Sequence, residues 1–299
     1  MPPRTWTIKE ILGVTSQYLA SKEIDSPRLT AELLLADRLD CTRLDLYLRF
    51  DQPLKEDEVT GYRELIRRRV RREPVQYILG RQEFWSLDFQ VGPGVLIPRP
   101  ETEILVEEVL EEYRAAWGGS GARRRILDLC TGSGAVAVSL AREIPKALVY
   151  ACDISEDALR MARDNARRHG VLENIVFFGG DLLGPVKSVP GGFFDMIVSN
   201  PPYVTTGEWE VLSPEVRDHE PRIALDGGED GMRVIRRILM EEAPRFLRPG
   251  GGLFLEMDPG QIAPSRALAL ESGLYEDVTA REDYSRRERV LKARLTRRS

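Results

Sequence analysis

The sequence predicts a doubly wound α/β domain preceded by a small helical bundle and a β-hairpin linker. After Arg125, short apolar runs alternate with helical stretches, which is the pattern of βαβ units and a mostly parallel sheet. Before Pro74 the apolar residues keep a helical period, and from Val75 to Ile97 they recur near period two between glycines. We therefore expect domains at 1–78 and 98–299, joined by a hairpin at 79–97.

The bulk properties favour a two-domain cytoplasmic protein. A chain of 299 residues exceeds the usual size of one domain. Neither an apolar leader nor a run of roughly 18 apolar residues is present, so we expect no membrane span. The three cysteines lack metal-ligand spacing and are read as reduced, with no metal site. A net charge of −5 argues against a duplex-DNA binder, although a local basic patch stays open.

The first part of the chain predicts several short helices. Ser26-Pro27 is a predicted cap with proline in the first turn. Thr42 is predicted to cap a short helix, with Asp45 completing a capping box. Residues 55–72 form a further predicted helix, which carries an arginine run at 67–72. That run fits either a solvated face or a contact with an acidic partner or RNA, and the sequence does not decide between them.

The second part of the chain predicts five strands and the helices between them. Residues 98–103 open a helix in which Thr102 is the cap or Glu101 lies in the first turn. The apolar runs are 126–130, 148–152, 175–178, 194–198 and 253–257, and the helical stretches are 135–142, 156–169 and 231–247. Residues 248–252 are a predicted turn before the last of these strands.

A glycine-rich loop follows the first strand of this domain. Gly132 and Gly134 permit a close approach of backbone to ligand, and the helix beginning at Ala135 offers free N–H groups. Asp153 ends the next strand, where a carboxylate can bind both ribose hydroxyls. The combination predicts a cofactor that contains adenosine.

Asp128 distinguishes between two such cofactors. The spacing of Gly132, Gly134 and Ala137 would also serve a dinucleotide enzyme. A carboxylate at the strand end repels a pyrophosphate but attracts the ammonium and sulfonium of S-adenosylmethionine. Asp128 therefore favours the methyl donor, unless it is simply a turn-forming aspartate.

Two further strand ends carry candidate side chains. Asp181 could accept a hydrogen bond from an adenine amino group with Leu182 packed on the ring, or this segment is an ordinary turn. Asn200-Pro201-Pro202-Tyr203 forms a stiff corner, because proline fixes φ and cannot continue a ladder. The Asn200 amide and the backbone carbonyls suit a substrate NH2 group, although Asn-Pro also starts ordinary turns. Parallel strands bring all these residues to one sheet edge.

These motifs together resemble the release-factor glutamine methyltransferases, or HemK family, within the class I S-adenosylmethionine-dependent methyltransferases. The matching segments are 74–80, 95–103, 128–135, 198–203, 224–228, 230–231 and 249–251. The Pro98-Arg99-Pro100 stretch is the most specific, since nucleic-acid methyltransferases share the glycine loop and the Asn-Pro-Pro-Tyr corner. Two positions depart from the family pattern, with Cys130 and Arg286 standing where glycine is usual.

The resemblance implies a seven-stranded methyltransferase domain and a helical domain that docks the substrate protein. It implies N5-methylation of the glutamine in the Gly-Gly-Gln loop of class-1 peptide chain release factors, with no stable nucleic-acid binding. The implied cofactor residues are Cys130, Thr131, Gly132, Ser133, Gly134, Asp153, Leu182 and Asn200, beside Asp128 and Asp181 from the reasoning above. Asn200, Pro201, Pro202 and Tyr203 would hold the glutamine, with Asn200, Pro201 and Tyr203 catalytic.

Three alternatives stay open at this point. A glutamine of a ribosomal protein is a possible target within the family. An adenine-N6 nucleic-acid methyltransferase would present an NH2 group to the same corner, but the acidic balance of the chain disfavours it. A cofactor-binding module without catalysis would leave the corner without a purpose.

Overall fold

The computed structural model describes residues 5–117, 122–184 and 193–297. They form two compact units, Met1–Gly80 with Ser213–His219, and Arg81–Leu212 with Glu220–Ser299. The domain bounds at 1–78, 79–97 and 98–299 stay a prediction, to which the structure adds the return of Ser213–His219 to the helical unit. Within the described ranges no helix has both the length and the apolar character needed to cross a membrane.

Five helices before Gly80 form most of the helical unit, around a leucine-rich core. The helices are α1 Ile8–Ser21, α2 Pro27–Arg38, α3 Arg43–Leu48, α4 Glu56–Val70 and α5 Val75–Leu79. The predicted capping box of Thr42 and Asp45 is confirmed at the start of α3. Ser26 does not cap α2 through its side chain, because its backbone is left-handed at φ 48°.

The arginine run on α4 is not one uniform polar face. Arg69 is only 5% exposed, and its guanidinium lies 2.9 Å from the Glu215 carboxylate. Arg72 contacts the same carboxylate at 3.3 Å, whereas Arg67 is well exposed and pairs with Glu64 on its own helix. Arg69 and Arg72 therefore hold Glu215, which lies in the short helix α9 Pro214–Arg217, inside the helical unit.

The second unit begins with a hairpin and continues into a sheet of seven strands. The hairpin pairs β1 Arg81–Phe84 with β2 Leu87–Gln90. The sheet contains β3 Arg125–Leu129, β4 Leu148–Asp153, β5 Ile175–Gly179, β6 Phe194–Ser199, β7 Leu247–Glu256, β8 Tyr275–Glu282 and β9 Glu288–Leu295. Its order is β5-β4-β3-β6-β7-β9-β8. Strands β3 to β7 are parallel and β9 is antiparallel to both neighbours, which confirms the predicted doubly wound sheet.

Helices cover both faces of this sheet. They are α6 Thr102–Trp117, α7 Ala135–Glu143, α8 Glu156–Arg168, α10 Arg233–Arg237, α11 Ala243–Phe246 and α12 Pro259–Glu271. Successive strand residues point to opposite faces, and Ile126 accordingly packs with α6 and α7 while Leu127 packs with α10 and α12. The hairpin is tied to α8 by Asn165, whose side chain exchanges hydrogen bonds with the Gln90 backbone.

Two predicted elements differ in their bounds. The helix predicted at 231–247 begins at Arg233, because Gly231 has a positive φ of 70°, and it contains a π-helical stretch at Ile238–Glu242. Residues 248–252 are not a separate turn but part of β7, whose pairing with β6 is irregular between Phe194 and Met196. Proline and glycine at these positions weaken regular pairing, which is why they read as a turn.

Candidate cofactor and substrate site

Two adjoining cavities lie at the carboxyl edge of β3, β4, β5 and β6. Their volumes are about 300 Å³ and about 50 Å³, and both are lined by Leu96, Cys130, Gly132 and Asn200. The predicted residues Asp153, Asp181, Leu182 and Pro202 line the larger cavity. Asp128, Thr131 and Ser133 line the smaller one. Parallel strands bring these side chains together from four different strand ends, as ligand sites in open α/β sheets require.

Asp153, the last residue of β4, links this strand to the glycine loop by a hydrogen bond. Its Oδ2 accepts a hydrogen bond from the Gly132 N–H at 2.9 Å, and its Oδ1 accepts one from the Ser155 N–H at 2.9 Å. Burial raises the pKa of this carboxyl. Each carboxylate oxygen still has a second lone pair, so Asp153 can also accept hydrogen bonds from two hydroxyls of a ribose.

Asp128 is a buried carboxyl at the end of β3. Its Oδ2 accepts hydrogen bonds from the Thr131 hydroxyl at 2.6 Å and from the Ala137 N–H at 3.1 Å. Burial raises its pKa to about 7, because removing a carboxylate from water disfavours the charged form. A cation in the smaller cavity would stabilise that charge, so Asp128 fits a ligand with an ammonium or sulfonium group.

The two loop glycines have different surroundings. Gly132 has a φ of 55° and no heavy atom within 4 Å of the place where a Cβ would be. A Cβ at Gly134 would instead lie 2.9 Å from the Cβ of Ala162 on α8. Gly132 therefore faces the ligand space. Gly134 permits the close packing of α7 on α8 and is absent from the lining of these two cavities, so its predicted contact with the cofactor stays a prediction.

Cys130 keeps the loop in the conformation that a glycine would adopt. Its φ is 60°, in the left-handed region that L-residues other than Gly, Asn and Asp rarely occupy. The residue nevertheless lines both cavities. Burial raises the pKa of its thiol, so the side chain is a neutral part of the cavity wall.

Asp181 and Leu182 follow the end of β5 and line the larger cavity. Asp181 Oδ1 accepts a hydrogen bond from Arg237 at 2.9 Å. Leu182 has a φ of 51°, and its carbonyl accepts a hydrogen bond from the Cys152 thiol at 3.2 Å. The side chain of Leu182 is buried, which places an apolar wall next to an acceptor, as an adenine ring with its amino group requires.

Asn200 is oriented by Thr102, which the sequence predicts only as a possible helix cap. Its Nδ2 donates a hydrogen bond to the Thr102 Oγ1 at 3.0 Å. The side-chain oxygen Oδ1 has no hydrogen-bond partner among the described residues. Because Nδ2 is engaged with Thr102, Oδ1 remains the group that Asn200 offers to a donor in the cavities that it lines.

The rest of the corner divides between different surfaces. Pro201 is buried and Pro202 lines the larger cavity. Tyr203 lines a separate cavity of about 400 Å³ together with Val204, Glu208, Asp258 and Gln261. Burial raises the pKa of the Tyr203 hydroxyl, so the ring is a neutral packing group.

Several residues to which the sequence alone gives no role support the Asn200–Tyr203 corner. Gln261 Nε2 donates to the Tyr203 carbonyl at 2.8 Å. A Cβ at Gly227 would lie 2.8 Å from both the Pro202 carbonyl oxygen and the Tyr203 Cα. The backbones of Val204 and Asp226 meet in a parallel bridge. The glycines of segment 224–231 thus let its backbone lie directly against the corner.

Glu220 supports the Pro98-Arg99-Pro100 stretch by hydrogen bonds. It is 5% exposed, its Oε2 accepts the Ile97 N–H at 3.0 Å, and its Oε1 accepts from Arg99 at 2.5 Å. Pro98, Arg99 and Thr102 line the smaller cavity. The buried carboxylate therefore holds the segment that forms one wall of the site.

The residues fit S-adenosylmethionine. The larger cavity has the volume of a small-molecule site, with Asp153 for the ribose and an apolar wall for the base. The smaller cavity has the carboxyl of Asp128 for the positive groups, and the Gly132 backbone lies between the two. Within the ranges 5–117, 122–184 and 193–297, no group of His, Cys, Asp and Glu side chains could hold a metal ion.

Comparison with known proteins gives matches along the whole chain. Residues 10–80 match the family model described as PrmC N-terminal domain, and residues 100–213 match the one described as Methyltransferase small domain. A release factor glutamine methyltransferase of Geobacter sulfurreducens is 43% identical over 293 residues, covering 98% of both chains. One of Chlorobaculum tepidum is 42% identical over 289 residues, covering 96% of this chain and 97% of its own.

A solved structure shares the fold over most of this chain. The human methyltransferase 10 domain containing protein superposes with a TM-score of 0.53 at 15% identity, covering 72% of this chain and 90% of its own. Fold and site together define a class I methyltransferase that uses S-adenosylmethionine. The sequence matches then place it further, and the chain belongs to the release factor glutamine methyltransferase family.

Proposed function

We propose that this enzyme methylates the side-chain nitrogen of the glutamine in the Gly-Gly-Gln loop of class-1 peptide chain release factors. The observation that carries the proposal is the orientation of Asn200. Its Nδ2 is bonded to Thr102 at 3.0 Å, so Oδ1 faces the cavities as an acceptor for a substrate NH2 group. The names of relatives that cover nearly the full chain support a release factor as the carrier of that group.

The residues that line the two cavities support the following assignment of the cofactor contacts. Asp153 would accept hydrogen bonds from the ribose, Leu182 and Asp181 would contact the adenine, and Asp128 would face the charged amino-acid end. Cys130, Thr131, Gly132 and Ser133 form the wall between them. When bound, S-adenosylmethionine supplies an electrophilic methyl carbon attached to a sulfonium.

The Asn200–Tyr203 corner would activate the side-chain nitrogen of the substrate glutamine, which is a poor nucleophile. An amide nitrogen is unreactive because its lone pair is delocalised into the carbonyl. Asn200 Oδ1 and the Pro201 carbonyl would accept its two hydrogens, which increases the electron density on nitrogen and stabilises the charge that develops during transfer. Tyr203 lines the separate cavity described above, and from that side its ring would contact the amide plane and restrict its orientation. A bound methyl donor would supply the methyl group to this nitrogen and keep the bonding electrons on its sulfur, while Asn200 Oδ1 and the Pro201 carbonyl would hold the two N–H groups until one proton leaves to water.

The helical unit would provide the docking surface for the release factor. Its residues match the PrmC N-terminal domain model, and a compact unit of its own is suited to recognise a protein rather than a small molecule. We expect the protein to act on intact release factors much better than on a short Gly-Gly-Gln peptide.

The proposed function is tested by supplying substrates in parallel. Purified enzyme is incubated with labelled methyl donor and, in separate reactions, a class-1 release factor, the same factor with its Gly-Gly-Gln glutamine replaced by Glu, ribosomal proteins, and total RNA. We expect label only in the unaltered release factor, and mass spectrometry should locate one methyl group on that glutamine. Label in ribosomal protein or in RNA, without label in the release factor, would overturn the proposal.

A further inference from the structure

The cavity of about 400 Å³ beside the corner has an apolar wall. Val204, Val211 and Leu212 form this wall together with Tyr203, and Val211 is 81% exposed. All the lining residues belong to the second unit. Apolar side chains that are grouped at a cavity, rather than scattered singly over the surface, are typical of a binding surface.

The rim of this cavity is acidic. Glu208, Asp230 and Asp258 line it and are exposed, and among its described lining residues there is no lysine, arginine or histidine. Glu208 Oε2 accepts hydrogen bonds from the Thr205 N–H at 3.0 Å and the Thr205 hydroxyl at 2.8 Å. Asp258 Oδ1 accepts one from the Gly260 N–H at 2.8 Å. Neutral donors thus hold these two carboxylates, so their negative charge is left for a ligand.

The acidic rim is tied to the corner by Gln261. Its Nε2 donates to the Tyr203 carbonyl at 2.8 Å, and its Oε1 accepts the Asp258 N–H at 3.2 Å. Glu208 lies in the segment that directly follows Tyr203 in the chain. The cavity therefore adjoins the residue that is proposed to contact the substrate amide, and one side chain fixes the position of Asp258 relative to it.

The occupant of this cavity follows from its place beside the corner. A glutamine of a protein substrate reaches Tyr203 as part of a chain, in which each neighbouring residue adds at most about 3.6 Å. Residues a few positions from the glutamine are therefore within reach of the cavity. Apolar walls with carboxylates at the rim fit a side chain that has an apolar stem and a positive end, which is lysine or arginine. The same carboxylates repel phosphate, which disfavours RNA as the occupant.

We propose that this cavity is a subsite for a lysine or arginine of the substrate protein, a few positions from the methylated glutamine, with Glu208 and Asp258 binding its positive charge. The inference rests on the proposed function and deepens it, since the enzyme then recognises a residue beside the glutamine as well as the glutamine itself. Because the two carboxylates do not line the cofactor cavities, they contribute to substrate binding and not to the transfer step.

A pair of double variants tests the charge of the subsite. Glu208→Gln with Asp258→Asn removes both charges and keeps an acceptor oxygen at each position. With the intact release factor, KM should rise about fivefold, while kcat and the Kd of S-adenosylmethionine change by less than about twofold. Glu271→Gln with Glu276→Gln is the matched control, since it changes the net charge equally at exposed positions outside this cavity. An equal rise of KM in the control would assign the effect to long-range charge and overturn the subsite.

Val211→Lys is a second variant that leaves the hydrogen bonds of both carboxylates in place. Val211 is 81% exposed, so a lysine can be accommodated, and it places a cation of the enzyme itself beside Glu208 and Asp258. KM for the release factor should again rise about fivefold, with kcat unchanged. Asp230 is kept in every variant because it pairs with Arg236. A KM equal to that of wild type would overturn the subsite even if the double variant does not fold.

Substitutions in the release factor identify the basic residue. Each lysine and arginine within about six positions of the glutamine, a span of about 20 Å, is changed singly to methionine. We expect one of these changes to raise KM of the wild-type enzyme about fivefold and to have little further effect on the Glu208→Gln and Asp258→Asn double variant, because both remove the same contact. If no change is coupled in this way, or if no basic residue lies in that span, the subsite is overturned.

The wild-type enzyme in the same assay separates this inference from the proposed function. Absence of methylation of the release factor by wild-type enzyme would overturn the proposed function, and the subsite with it. Methylation by wild type, combined with an unchanged KM in the Glu208→Gln and Asp258→Asn double variant, would overturn the subsite alone.

Discussion

Gly231 lies directly against the carbonyl of Tyr203. A Cβ at position 231 would be 2.3 Å from that oxygen and 2.2 Å from the Nε2 of Gln261, which is bonded to the same carbonyl. The backbone of Gly231 also has a φ of 70°. The corner that carries Asn200 is therefore held by a backbone contact that only glycine permits.

Gly231→Ala is expected to disrupt this corner. The new methyl group collides with backbone and forces a strained φ, so the free energy of unfolding should fall by more than about 2 kcal/mol. Denaturant unfolding measures the change, and methyl transfer should fall as well. Gly207→Ala is the matched control, since Gly207 has space for a Cβ and no positive φ. Equal stability of the two variants would contradict the proposed contact.

Asp128 predicts a pH dependence of cofactor binding. Its pKa of about 7 lies above the ordinary value, so in the free enzyme the carboxyl is protonated below neutrality and cannot attract a cation. Lowering the pH from about 8 to about 6 should then weaken S-adenosylmethionine binding by about 10-fold. Calorimetry across this range tests it.

The control for this prediction is Asp128→Asn. Because an amide does not titrate, the variant should bind the cofactor weakly and keep only the pH dependence that belongs to the ligand itself. The same pH dependence in wild type and Asp128→Asn would show that the titrating group lies elsewhere.

Arg286 adopts the left-handed backbone conformation, at a position where the resemblance described above predicts glycine. Its φ is 60°, in a turn closed by the Asp283 side chain, which accepts the N–H groups of Ser285 and Arg287 at 2.9 and 3.0 Å. Arg286→Gly should stabilise the protein by about 0.5–1 kcal/mol, because glycine relieves the steric cost of a Cβ. Arg286→Ala keeps the Cβ and should give no gain, so a similar gain from alanine would refute the strain argument.

Glu215 should be essential to the stability of the helical unit. It is the shared partner of Arg69 and Arg72, and removing it leaves the nearly buried Arg69 charge without compensation. Glu215→Ala should cost about 3 kcal/mol of unfolding free energy. Arg67→Ala, which removes an exposed arginine from the same run, should change it by less than about 0.5 kcal/mol. A small effect of Glu215→Ala on the free energy of unfolding would contradict this role of Glu215. It would favour the other interpretation of the sequence, in which the arginine run is a solvated face.

The sequence predicts those site residues whose signal lies in their own neighbourhood of the chain. Asp153 and Asn200 each follow an apolar run and Asp128 lies near the end of one, and the carboxyl ends of parallel strands meet at one edge whatever the details of packing. The parallel sheet could be predicted for the same reason, whereas the order of its strands could not. Strands β8 and β9 are missing from the five predicted strands, because most residues of β8 are at least partly exposed and charged residues interrupt the apolar residues of β9.

The supporting residues could not be predicted because their partners are far away in the chain. Glu220 bonds to Ile97 and Arg99, more than a hundred positions earlier, and Gln261 bonds to Tyr203. A usable signal existed for Arg69, which follows Val59, Tyr62 and Ile66 at helical spacing on the buried face of α4.

The most direct test of the account is the transfer activity of Asn200→Ala on a release factor, measured beside its affinity for S-adenosylmethionine. Asn200 touches the cofactor cavities but is proposed to act on the substrate nitrogen. We expect kcat to fall by at least about 100-fold while the Kd of the cofactor changes by less than about threefold. Turnover close to that of wild type, with a methyl group still on the Gly-Gly-Gln glutamine, would contradict the central claim.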